Sequence, residues 1–109
     1  MEKRYSEYTV EELRQEVAAL KEKAQKAEQL GNVSEYAIYE RKIQMAIAYT
    51  LNPEDFQKGE TYELAQDPGH TFKINYINGV FAWGNRVNLL GQTLEKQEAV
   101  PISILGKKL

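Results

Sequence analysis

The sequence predicts an α+β fold, an N-terminal antiparallel helical hairpin followed by a small antiparallel β-barrel. Three observations carry this. Up to Thr50 the apolar residues recur at spacings of three and four, the period of an amphipathic helix. At Gly59 the period changes to two. The stretch from Thr71 to Gly84 then reads as two strands joined by a tight turn at Asn78-Gly79.

The 109 residues fit one domain or a small domain with an appendage. Lys and Arg total 14 against 16 Asp and Glu, a net charge of −2, so the chain as a whole has no attraction for nucleic acid or an anionic membrane. The lack of cysteine excludes disulfides and thiolate metal sites and fits a reducing compartment. The N-terminal residues are charged and show no apolar signal core, and no apolar run approaches the ~20 residues of a membrane span. These features point to a cytoplasmic protein with no membrane association.

Residues 1–52 hold a polar lead and the helical hairpin. Thr9, three residues before Glu12, has the spacing of a capping box, with Tyr8 and Leu13 placed for a hydrophobic staple. Leu13, Val17, Leu20, Ala24 and Ala27 form one narrow stripe, and Gly31 ends the helix. Asn32, with Glu35 three residues on, restarts a helix; Ser34 is the alternative cap. So short a link makes the two helices antiparallel neighbours. The second helix has two apolar faces. Tyr36, Tyr39, Ile43, Ala46, Ile47 and Thr50 form one; Ile38, Met45 and Tyr49, flanked by Arg41 and Lys42, form the other. The second face is expected to be buried against the barrel, with a symmetric dimer seam as the rival. Pro53 is expected to end the helix.

Residues 53–109 are assigned to the barrel, with no long linker before it. A strand runs from Thr61 to Ala65, and Asp67-Pro68-Gly69-His70 has the order of a type II turn. In the central hairpin, a type I′ turn at Asn78-Gly79 pairs Tyr76 with Phe81 and Ile74 with Trp83. Phe72, Ile74, Tyr76, Phe81 and Trp83 then share the core face; Lys73, Asn75 and Ala82 face away, and Ile77 and Val80 flank the turn as exposed apolar residues. Residues 85–98 give a weak signal, a strand to about Leu90 followed by a loop. Residues 99–105 read as a last strand, with Pro101 at an edge or near the strand start, and Gly106 to Leu109 as a frayed tail. Four or five short strands favour a closed or partly closed barrel. A flat meander backed by the helices is the alternative.

Several separated blocks resemble a known family: Met1-Glu-Lys-Arg-Tyr-Ser, Lys23-Ala-Gln-Lys-Ala-Glu-Gln, Glu40-Arg-Lys-Ile, Leu51-Asn-Pro-Glu-Asp, Gly59-Glu-Thr-Tyr, Tyr76-Ile-Asn-Gly-Val-Phe-Ala-Trp-Gly and Pro101-Ile-Ser-Ile-Leu. Together, in this order, they are similar to the YfhH-like proteins, small uncharacterised proteins of the Bacillus group of Firmicutes. The resemblance covers nearly the whole chain, except residues 85–98. It implies that the barrel is SH3-like, carries a label of transcriptional regulator, and brings no catalytic or binding residues with it.

The chemistry-bearing residues are sparse. His70 is the only histidine and sits in a Pro-Gly turn, where a solvated loop residue is the ordinary case. One histidine and no cysteine are too few ligands for the usual zinc site. Glu11-Glu12 lies in a first helical turn, where acids favour the dipole, and Glu54-Asp55 lies in a connector; neither pair is set across a substrate. Ser6, Ser34 and Ser103 stand in no nucleophile elbow, and Gly79 and Gly84 do not precede a helix as a phosphate loop requires. No catalytic residue, cofactor, metal or small-molecule substrate is therefore expected, and the protein is read as not an enzyme. The strand aromatics have the composition of a base-stacking platform but are assigned to the core, and the basic residues form no stripe. The expected function is a binding or regulatory module acting through protein contacts, at a surface comprising Ile38, Arg41, Lys42, Met45, Tyr49, Ile77 and Val80. A nucleic-acid-binding transcriptional regulator and a self-associating structural protein are the alternatives.

Overall fold

In the computed structural model, which describes residues 3–109, Thr9 opens the first helix as the spacing predicts. The Glu12 amide donates to Thr9 Oγ1 and the Thr9 amide donates to Glu12 Oε1, both at 3.1 Å. This reciprocal cap stabilises α1 (Val10–Gln29) by about 1 kcal/mol. At the other end the Asn32 amide donates to the Ala27 carbonyl at 2.8 Å and the Gly31 amide to Glu28 at 3.1 Å. This closure needs a left-handed residue, and Gly31 supplies it at φ 70°. Asn32, not Ser34, caps α2 (Val33–Ala48), accepting from the Glu35 amide at 3.1 Å.

The first unit of the chain ends at Thr50. Its core is Leu20, Ala24 and Ile43, with Val17, Tyr36, Tyr39 and Ile47 packed around them. The start of α1 lies beside the end of α2, so the helices are antiparallel: Val10, Arg14 and Val17 share one cavity wall with Ile47 and Thr50. α2 stops at Ala48, ahead of Pro53. Pro53 instead opens a short 3-10 turn, Pro53–Asp55, capped by Asn52. No helix among the described residues is long and apolar enough to cross a membrane.

The second unit, from Leu51 onward, is a five-stranded antiparallel sheet. Its strands are β1 (Thr61–Leu64), β2 (His70–Asn78), β3 (Phe81–Asn88), β4 (Thr93–Pro101) and β5 (Leu105–Lys108), in the order β4-β3-β2-β1-β5. No ladder joins β4 to β5 among the described residues, so the sheet is open and its closure into a barrel is not observed. The weak stretch 85–98 is strand on both sides of a turn at Leu89–Gln92, where Gly91 takes φ 80°. The strand read over 99–105 is the end of β4 followed by a 3-10 turn, Ile102–Ile104. The expected tail is β5, paired with β1. Pro101 does lie on an edge strand.

The central hairpin forms, but one residue out of the expected register. Asn78 pairs with Phe81, so Gly79 and Val80 are the turn. Gly79 has φ 61° and no non-glycine residue among the described ones, Val80 included, has positive φ, which fits a type II′ turn and excludes type I′. A one-residue displacement exchanges the faces of β3. Ala82 and Gly84 are buried, whereas Phe81 and Trp83 are half-buried on the opposite side. A bulge at Asn75 makes the same exchange in β2. Phe72 and Ile74 remain in the core as expected, but Tyr76 is 44% exposed. Val80 is buried at 7% exposure and Ile77 half-buried opposite Ala82, so neither is the exposed apolar flank expected.

Gly84 fixes this register. A Cβ at Gly84 would stand 1.9 Å from the Lys73 carbonyl oxygen. The turn at Asp67–His70 also departs from expectation: Gly69 lacks the positive φ of type II, and its amide instead donates to Asp67 Oδ1 at 3.2 Å.

Glu60, just before β1, ties that strand to its neighbour β5. Its carboxylate pairs with Lys108 and accepts from the Tyr62 hydroxyl at 2.8 Å and the Gln57 amide at 2.7 Å. Lys108 first, then Tyr62 and the Gln57 amide, hold Glu60 down to about 2. Burial, then the hydrogen bond to Glu60 and its charge, push Tyr62 up to about 12.

Two predictions follow from these contacts. Gly84→Ala should destabilise by at least the ~1–3 kcal/mol of an overpacked core, and by more than Gly79→Ala, whose left-handed backbone costs roughly 1–2 kcal/mol; urea titrations of the two variants make the comparison. A carboxyl with a depressed pKa stabilises the fold above its unfolded value and loses that contribution as pH falls. The stability from Glu60 should therefore drain between its ordinary 4.5 and about 2, and Glu60→Gln should flatten thermal stability against pH across that window.

Candidate functional site

The helical unit carries a groove of about 840 Å³. Three segments build it. The lead forms a 3-10 turn, Tyr5–Glu7, held by the Glu7 amide on the Arg4 carbonyl at 2.8 Å. Lys3 pairs with Glu12 at 3.1 Å and so ties the lead to the first turn of α1. The Thr9 amide and then Lys3 hold the Glu12 carboxyl below its usual range. The Tyr5 ring meets Tyr8 edge-on at 5.3 Å and Tyr49 of the α2 end at 6.5 Å. α1 contributes Glu16, Leu20 and Lys23, and α2 contributes Tyr39, Arg41, Lys42, Met45 and, just beyond its end, Tyr49.

Four of the seven residues singled out from sequence line this groove: Arg41, Lys42, Met45 and Tyr49. Ile38 is on the same helix, 49% exposed and outside the lining. Ile77 and Val80 belong to the sheet and have no part in it. The second face of α2 is thus partly covered by the lead, a solution that neither the barrel nor the dimer expectation contained. Sequence reasoning missed Lys3, Arg4, Tyr5, Tyr8 and Lys23. A tyrosine three residues before another, just ahead of a capping box, was the available signal.

The lining is chemically one-sided. Lys3, Arg4, Lys23, Arg41 and Lys42 face one carboxylate, Glu16, which accepts from the Tyr8 hydroxyl at 3.4 Å. Arg4, Lys23, Arg41 and Lys42 carry no ion pair among the described residues. A stripe of cations absent from the linear sequence is therefore assembled in space from three segments.

The sheet has two further polar or aromatic groupings. Arg86 donates from Nε and Nη2 to Glu98 at 2.9 and 3.0 Å and from Nη1 to Asp67 at 2.6 Å. His70 Nδ1 lies 2.9 Å from the same Asp67 oxygen, without hydrogen-bond alignment. His70 and then Arg86 lower the Asp67 carboxyl, and Glu98 and then Asp67 raise Arg86. The charges satisfy one another, as in a structural pin. No group of three or more His, Cys, Asp or Glu side chains is arranged to hold a metal among the described residues. The second grouping is Tyr76 and Trp83, stacked 5° from parallel with centroids 5.8 Å apart.

Because Trp83 is half-buried beside exposed Tyr76, its emission should respond to an added quencher, and Trp83→Ala should cost roughly the 0.5–1.5 kcal/mol of an aromatic pair plus its partial burial. Stern–Volmer titration with iodide or acrylamide, followed by urea denaturation of the variant, measures both.

Comparison with known proteins agrees with the resemblance drawn from the sequence blocks. The chain is 53% identical over 108 residues to the uncharacterised protein YfhH of Bacillus subtilis (strain 168), covering 99% of each chain. The family described as "Protein of unknown function (DUF1811)" matches residues 3–106. The chain belongs to this family, whose function is unknown.

Proposed function

We propose that this protein is a small, non-enzymatic binding or regulatory module that acts through protein contacts, with the groove of the helical unit as its contact site. The observation that carries this reading is the composition of the groove. Leu20, Met45 and four tyrosines give it apolar and amphipathic surface, and five cations rim it. Tyrosine, methionine and arginine are the residues that protein-contact surfaces concentrate. Among the described residues the lining has a single carboxylate, already bonded to Tyr8, and no histidine. Acid–base catalysis needs a proton donor and acceptor set about a reacting group, and this groove offers no such pair.

For the sheet, the strand order β4-β3-β2-β1-β5 and the 3-10 turn between β4 and β5 support an SH3-like barrel. The bulge at Asn75 adds the local bend that curling a short sheet needs. Such barrels host unrelated functions, so the functional reading rests on the groove. The lack of cysteine supports a cytoplasmic location. The cationic rim also favours a second reading, a nucleic-acid-binding regulator.

A tagged full chain, incubated with Bacillus lysate with and without nuclease, tests the proposal. A protein partner should persist after nuclease treatment and be lost from Lys42→Glu, a change at an exposed position that should leave the unfolding free energy within about 0.5 kcal/mol of the parent. An eluate emptied by nuclease, or the same proteins on parent and variant, would reject the protein-contact reading.

A further inference from the structure

Resting on the groove as the contact site, we infer that its occupant is an acidic peptide segment of a partner protein, with carboxylates on the Arg4, Lys23, Arg41 and Lys42 rim and an apolar side chain on the Leu20–Met45 floor. Charge complementarity carries the first half. The rim cations have no ion-pair partners among the described residues, and Glu16 is the one acid in the lining. In the sheet, ion pairs join Glu60 to Lys108 and Glu98 to Arg86, whereas the groove gathers its cations round a single carboxylate among the described residues. Four unpaired cations round one concavity create a local positive potential that an anion relieves.

Ring geometry decides between an acidic peptide and a nucleic acid. Bases bind aromatic side chains face-on. Tyr5 instead packs edge-to-face with both Tyr8, at 79°, and Tyr49, at 69°. These rings are committed to one another as a wall, which leaves them poorly set for intercalating stacks. The floor, by contrast, accepts aliphatic side chains: Leu20 is buried and Met45 half-buried, and a methionine surface adapts to varied apolar partners. The groove volume of about 840 Å³ suits a few side chains of a single strand and is too confined for a duplex.

Three probes test this on the full chain: a fluorescent glutamate-rich peptide of about ten residues carrying two leucines, long enough extended to cross ~30 Å; the same peptide with glutamine for glutamate; and a single-stranded oligonucleotide of equal charge. Amide shifts in ¹H–¹⁵N spectra locate each. The acidic peptide should shift Lys23, Arg41, Lys42 and Met45, lose about tenfold in affinity between roughly 50 and 300 mM salt, and bind at least about tenfold more tightly than the glutamine form. Arg41→Glu/Lys42→Glu should abolish its binding with melting unchanged. Equal binding of the glutamine peptide in the groove would overturn the inference and leave the contact-site reading intact. Tighter binding of the oligonucleotide there would overturn it in favour of nucleic acid. If no probe moves groove residues, the inference fails, and the groove loses its standing as the contact site.

Discussion

The approach of the Lys73 carbonyl to Gly84 is the constraint on which the sheet depends. At 1.9 Å from the position of a Cβ, that oxygen admits no residue but glycine. Once Gly84 faces inward, Ala82 faces inward with it, and Phe81 and Trp83 must face out. The bulge at Asn75 then lets Ile74 and Tyr76 point to opposite sides although they are two residues apart. The core is filled from other strands: Tyr62 and Leu64 from β1, Phe72 and Ile74 from β2, Val100 from β4, and Ile102 and Leu105 beyond it. The small β3 face makes room for these larger groups.

The helical unit follows a different logic, set by its ends. Reciprocal bonds at Thr9 and Glu12 fix where α1 begins, and the left-handed Gly31 fixes where it stops. With Asn32 capping α2 immediately afterwards, the chain has no slack, so the two stripes meet antiparallel. That geometry brings Tyr49 back beside the lead. Tyr5 then gives the second face of α2 an aromatic neighbour within the same unit.

What the sequence discloses divides along these lines. Caps, helix period and the existence of the hairpin are local, and Thr9, Gly31 and Asn32 announce them within four residues. The register of the hairpin is not local. Asn78-Gly79 favours one turn, but the contact that selects another lies between Lys73 and Gly84, eleven residues apart in the chain and adjacent across the ladder. A glycine inside a strand pattern was the legible hint of such an approach. β5 was likewise hidden, since Gly106-Lys-Lys lacks strand propensity and owes its conformation to pairing with β1 and to Lys108 on Glu60. The Arg41–Lys42 half of the groove was visible as a flanked apolar stripe. Its other cations were not, because Lys3, Arg4 and Lys23 come from segments that only the folded hairpin gathers.

A net charge of −2 argues against anion binding only if charges are evenly spread, and here they are not. Three of the acids in the sheet unit are engaged locally: Glu60 by Lys108, Asp67 by His70 and Arg86, Glu98 by Arg86. Each of these pairs is neutral or nearly so at distances beyond the ~8 Å over which salt screens a surface charge. Among the described residues Arg4, Lys23, Arg41 and Lys42 have no such partners, and the groove gathers them round one carboxylate, Glu16. Holding like charges together round a concavity opposes folding unless something offsets it. The Lys3–Glu12 pair and the tyrosine wall supply that offset and keep the lead in place. Nothing in the helical core requires the rim to be basic, because Leu20, Ala24 and Ile43 pack without it. A feature that the fold supports at a cost, and does not use, is where a binding role is to be sought.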